Sequence, residues 1–212
     1  MSFIDLEALQ TASIAYDPYD HVIVPQFLKL DGVAHIDADY PVIDSPGSHP
    51  LSTLAPGLAF AALMEELQGK EVQQAFSKKF GIDLSPYPTT VTVRGQCQEK
   101  DGAIHTDTPS KIVTVLIYMN TGRLANEGGR LRLLRSATDL SDYATEIPPI
   151  AGTMLAFRRS DRSFHGHETF IGKRRVIQMN WVTSEMVVRR ELRRHRLSAW
   201  AKSLLYAVTG KF

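Results

Sequence analysis

The chain has 212 residues, 43% of them hydrophobic and 22% charged, with a formal net charge of +1. This is the composition of a folded globular protein of single-domain size, and it excludes wholesale disorder and a polyelectrolyte nucleic-acid binder. The one cysteine, Cys97, excludes an internal disulfide and a cysteine-built zinc or iron–sulfur site, and it suits a reducing, cytoplasmic setting. The opening MSFIDLEALQ carries Asp5 and Glu7 rather than a basic segment ahead of an apolar run, so no signal peptide is expected. No stretch approaches the roughly 20 apolar residues of a membrane span.

In chain order, Phe60, Leu63, Met64 and Leu67 recur at helical spacing, with Gly69 placed as a C-cap. Val72, Phe76 and Phe80 predict a second helix that stops at Gly81. From Thr89 the texture changes to short β-branched and apolar runs: VTVRGQC, KIVTVLIYMN, RLRLL, TMLAF and VIQMNWV. Turn-forming residues separate them, as in an antiparallel sandwich or barrel. Residues 136–152, with Pro148 and Pro149, lack a period and are expected to form a loop with one helical turn. From Lys173 to the end, ten basic residues face two acidic ones. This leaves a segment of +8 beside a remainder of about −7. Val188, Leu192, Trp200 and Leu204 then predict a basic amphipathic helix over 186–208. Its arginines either face solvent or contact a membrane surface or an acidic partner. The organisation expected is one domain over 1–212 with a core at about 90–184.

His105-Thr106-Asp107 carries the chemistry. Residues i and i+2 of an extended strand point to one face, so this tripeptide presents an imidazole and a carboxylate together. A second imidazole completes the two-His-one-carboxylate arrangement of mononuclear Fe(II) oxygenases, which leaves three coordination positions open. Two suit the keto acid of 2-oxoglutarate and one suits dioxygen. An H-x-D tripeptide is weak alone, and the downstream segment SFHGHETFIGKRRVIQMNW strengthens it.

Together these residues resemble the prolyl-4-hydroxylase-like branch of the 2-oxoglutarate/Fe(II) oxygenases. The matching elements are H-x-D, the strand end LIYMN with Tyr118, the turn at Gly128 and Gly129, the spacing Pro149–Gly152–Phe157, and a histidine followed about ten residues later by a base. They run from about Arg94 to Trp181. The resemblance implies a double-stranded β-helix, that is, a jelly roll of cupin type, mainly β with flanking helices. It also implies Fe(II), 2-oxoglutarate and O2 as cofactor and co-substrates, and it allows for ascorbate. His105, Asp107 and His165 become the metal ligands, with His167 as the alternative to His165, and Tyr118 and Arg175 the holders of the distal 2-oxoglutarate carboxylate.

Arg175 is preferred over Arg174 because it shares strand parity with Ile177, Met179 and Trp181, the more apolar face. The carboxylate at Asp107 implies hydroxylation, since related halogenases lack it. The expected substrate is a small metabolite, saccharide or lipid-linked intermediate. A protein side chain and a non-catalytic jelly-roll binding module are the alternatives. His21, His35, His49 and His195 show no ligand spacing, and Arg158, Arg159 and Arg162 are candidates for the site mouth.

Overall fold

The computed structural model describes residues 2–122 and 128–193. Among these residues nine strands form two antiparallel sheets. The larger runs β1 (His21–Val24), β7 (Met154–Arg158), β4 (Lys111–Tyr118), β9 (Gly172–Val182), β3 (Thr89–Cys97) and β2 (His49–Pro50). The smaller runs β6 (Tyr143–Ile147), β5 (Leu131–Leu134) and β8 (His165–Gly166). Helices α1 (Leu6–Thr11), α2 (Leu30–Ala38), α3 (Leu58–Leu67) and α4 (Lys70–Phe80) precede the central strands. This is the jelly roll flanked by helices that the motifs imply.

Strand alternation gives the large sheet two different faces. Val91, Val93, Val113, Val115, Ile117, Met154, Ala156, Ile177, Met179 and Trp181 form one buried cluster with helix residues such as Phe60, Leu63, Phe76 and Phe80. The opposite face carries Tyr118, Leu155, Phe157 and Val176, which meet Leu131, Leu133 and Ile147 of the small sheet. The helices therefore cover one face, and the space between the sheets opens at the other. Phe76 is fully buried, with its ring centroid 6.2 Å from that of Phe27 and 5.2 Å from that of Trp181. Phe76→Ala is expected to lower stability by about 3–5 kcal/mol in chemical denaturation, because the helix–sheet contact cannot close over a missing ring.

Both predicted helices are present, but Gly69 caps the next helix instead of the previous one. Its φ of −72° is extended, and it is the N-cap of α4; Gly81, at φ 62°, makes the left-handed exit from that helix. The expected loop over 136–152 contains β6, paired to β5 from Leu131↔Ile147 to Leu134↔Tyr143. Its YATEI sequence is too short and too wet to announce an edge strand. After β9 a helix occupies 185–193. The rest of the predicted basic helix, with Trp200, Leu204 and His195, lies outside the described residues. No helix among the described residues is long and apolar enough to cross a membrane.

Candidate active site

His105 lies between β3 and β4 and pairs with His165 of β8 through an isolated antiparallel bridge. His105 N donates to His165 O at 3.1 Å, and His165 N donates to His105 O at 3.0 Å. Residues that exchange both bonds stand directly opposite and project to the same face, so the two rings approach with centroids 4.4 Å apart. Asp107, two residues on, brings its carboxylate to the same place. One ligand atom from each of His105, Asp107 and His165 lies within 4.8 Å of the others. A modest side-chain rotation closes that separation around one ion, whose bonds to nitrogen and oxygen ligands are about 2 Å.

The surroundings prepare these groups for a cation. Nδ1 of His105 lies 2.8 Å from Ala103 O, and Nδ1 of His165 lies 2.9 Å from Ser163 O. A carbonyl only accepts, so each Nδ1 carries the proton and each Nε2 keeps its lone pair for a metal. Burial is the main cause that lowers the His165 pKa to about 4, with His105 and Lys111 adding to it against Asp107, so the ring is neutral at neutral pH. Burial pushes the Asp107 carboxyl up. The charge of Lys111 and the hydrogen bonds from Lys111 and Thr114 act against this, with His165 adding to them only at acid pH where it is protonated, and together they hold it below the usual range. Lys111 Nζ donates to Asp107 Oδ1 at 2.6 Å, and Thr114 Oγ1 donates to Oδ2 at 2.5 Å. Arg159 Nε donates to the Asp107 carbonyl at 3.1 Å and so fixes the ligand's backbone.

Lys111 and Thr114 are functional neighbours that sequence reasoning missed; their only signal is that they follow H-x-D into the strand. Lys111→Met is expected to weaken Fe(II) binding about 10-fold, because one carboxylate oxygen loses its fixed donor. Anaerobic Fe(II) titration measures it. His167 is buried and lines the same cavity, but its ring nitrogens face other groups: its Nδ1 is 2.7 Å from Glu168 O and its Nε2 is 3.9 Å from Cys97 Sγ. Among the described residues neither it nor His21, His35 or His49 joins the ligand cluster. Of the three candidate arginines, Arg158 and Arg162 are exposed, and Arg159 also pairs with Asp161 at 2.7 Å.

The basic residue expected to face the cavity is corrected by the structure. Arg175 turns toward the helices, where its Nη1 meets Asp37 Oδ1 at 2.6 Å and its guanidinium lies 4.6 Å from the centre of the Tyr40 ring. Arg174 takes the inner face with Val176 and Gln178, and these three line a cavity of about 260 Å³ with His105, Asp107 and His165. The parity argument misassigned the faces because the most apolar face of β9 is the one under the helices, while the cavity face is necessarily wetter. Arg174 is 7% exposed, and its Nε donates to Gly129 O at 2.8 Å. Gly129 has φ 64°, and a Cβ there would stand 2.8 Å from Arg174 Cδ, so this glycine makes room for the arginine side chain. The Arg174 guanidinium lies 5.5 Å from the centre of the Tyr118 ring. Among the described residues no carboxylate pairs with Arg174, and the fully buried Tyr118 Oη has no hydrogen-bond partner.

The family model of the 2OG-Fe(II) oxygenase superfamily matches residues 94–183, a span that holds all three candidate ligands and Arg174. The matched segment is similar to that superfamily over 90 of the 212 residues. Solved structures with the same fold include a Pseudomonas putida prolyl-4-hydroxylase, 14% identical, with TM-score 0.52 over 84% of this chain and 88% of that one. They also include a Burkholderia pseudomallei oxidoreductase of the 2OG-Fe(II) oxygenase family, 12% identical, with TM-score 0.53 over 86% and 95%. A third is the viral collagen prolyl hydroxylase of Paramecium Bursaria Chlorella virus-1 in complex with 2OG, 16% identical, with TM-score 0.53 over 77% and 96%. No curated protein matches the chain in sequence. The residues present fit the cofactor and co-substrate: two imidazoles with free Nε2 atoms and one carboxylate suit Fe(II), and a buried guanidinium with no carboxylate partner among the described residues, close to the Tyr118 phenol, suits a dicarboxylate.

Proposed function

We propose that the chain is an Fe(II)- and 2-oxoglutarate-dependent dioxygenase, that His105, Asp107 and His165 hold the iron, that Arg174 and Tyr118 hold the distal carboxylate of 2-oxoglutarate, and that the enzyme hydroxylates a small molecule. The observation that carries this reading is the convergence of the three ligand atoms on the cavity that Arg174 also lines. When bound, the iron supplies the coupling of 2-oxoglutarate decarboxylation, which yields succinate and CO2, to oxidation of the substrate. The protein's part is positioning. Nδ1–H bonds to backbone carbonyls set both imidazole planes, Lys111 and Thr114 fix the carboxylate, and Leu116, Leu131 and Val176 give the cavity apolar walls that limit water. A guanidinium and a phenolic O–H aimed at one carboxylate give orientation as well as affinity.

A cavity of this volume supports the small-molecule reading. Hydroxylation of a prolyl or other protein side chain is the rival, favoured by similarity to structures described as prolyl hydroxylases. Substrate-dependent succinate release separates them. Stimulation by members of a metabolite panel with no response to proline-rich peptides is expected, and stimulation by peptides alone would overturn the reading.

A further inference from the structure

Arg94 is the feature of the cavity that iron and 2-oxoglutarate leave unexplained. It stands opposite Val176 of β9, on the inner face of β3, and lines the same cavity as the ligands and Arg174. Its Nε donates to Ser48 Oγ at 2.9 Å, and its Nη1 lies 3.8 Å from Asp101 Oδ2, the outer limit of an ion pair. Burial and the charge of Arg174 both disfavour this guanidinium, and Asp101 offsets them only in part. Around the cavity, Arg94, Lys100 and Arg174 face two carboxylates, Asp101 and the candidate ligand Asp107. Lys111 already pairs with Asp107, and Fe(II) and the 2-oxoglutarate dianion cancel each other, so a loaded site keeps positive charge in excess. Arg174 is then committed to the co-substrate, which leaves Arg94 with a forked donor set matched to a carboxylate or phosphate.

We propose that Arg94, with Lys100 at the rim, binds an anionic group of the substrate, so that the enzyme acts on a small molecule bearing a carboxylate or a phosphate. This rests on the functional reading above. The test is calorimetric titration of acetate and of methyl phosphate into protein loaded with Mn(II), as an oxygen-inert substitute for iron, and with 2-oxoglutarate. At least one anion is expected to bind saturably, and the stronger of the two identifies the group. Arg94→Gln is expected to weaken that binding about tenfold or more, near 1.4 kcal/mol, while the Kd for 2-oxoglutarate stays within about twofold. Asp101→Asn, which removes the competing carboxylate, is expected to tighten it, and this opposite sign does not depend on how the Arg94 variant folds. Failure of both anions to bind, equal binding by Arg94→Gln, or a loss of 2-oxoglutarate affinity in Arg94→Gln as large as in Arg174→Gln would overturn the inference. Failure of the wild type to take up Mn(II) and 2-oxoglutarate would instead sink the site assignment beneath it.

Discussion

Arg174→Gln is expected to raise the KM for 2-oxoglutarate on the order of a hundredfold, whereas Arg175→Gln leaves it within about twofold. Truncating one partner of a buried, hydrogen-bonded charge pair costs about 2–5 kcal/mol, and each 1.4 kcal/mol is tenfold in affinity. Arg174 is buried against the cavity with its Nε given to Gly129 O, so Arg174→Gln leaves the far carboxylate of 2-oxoglutarate in a largely buried place without its charge partner. Lysine at 174 should recover part of the loss, because it restores the charge without the fork. Arg175 has its partner on the other side of the sheet. Its bond to Asp37 is partly solvent-exposed and is worth about 1 kcal/mol or less, so Arg175→Gln should register as slightly lower stability with unchanged co-substrate saturation. Steady-state succinate formation against 2-oxoglutarate concentration distinguishes the two variants directly.

His105→Ala, Asp107→Ala and His165→Ala are each expected to abolish 2-oxoglutarate turnover and to reduce Fe(II) affinity beyond the roughly 10–100-fold that disturbing a ligand's hydrogen-bonding partner costs. His167→Ala is expected to keep a full equivalent of iron. The contrast is informative because His165 and His167 are both buried and share a strand face by parity, yet only His165 has His105 directly across from it. A His167→Ala variant that lost iron while His165→Ala kept it would exchange their roles.

The clustering of His105, Asp107 and His165 was legible in the sequence, and most of what surrounds them was not. H-x-D projects two ligands to one face by strand geometry alone, and the histidine of SFHGH stands opposite because β5 and β8 pair through Leu133↔His165 and the bridge to His105. The five core strands announced themselves by β-branched runs. By contrast, β2 and β8 contain two residues each, below any period, and β6 is an edge strand with mixed polarity. The choice between Arg174 and Arg175 failed for a definite reason. Apolar parity identifies the face packed on helices, and a cavity that must hold an ion and a dicarboxylate presents Thr114, Gln178 and Arg174 instead. In a sheet with one helix-covered face, the wetter parity marks the site. The pairing of Lys111 with Asp107 has no motif of its own, since it depends on the turn at Thr108–Lys111, where Lys111 N donates to Thr108 O at 3.0 Å.

The most direct measurement is a crystal structure grown with Mn(II) and 2-oxoglutarate and examined for the anomalous signal of the metal. The expected result is one ion bound by Nε2 of His105, a carboxylate oxygen of Asp107 and Nε2 of His165, with the far carboxylate of 2-oxoglutarate on the Arg174 guanidinium and Tyr118 Oη. An ion held by His167 in place of His165, or a co-substrate whose far end lies away from Arg174, would contradict the account.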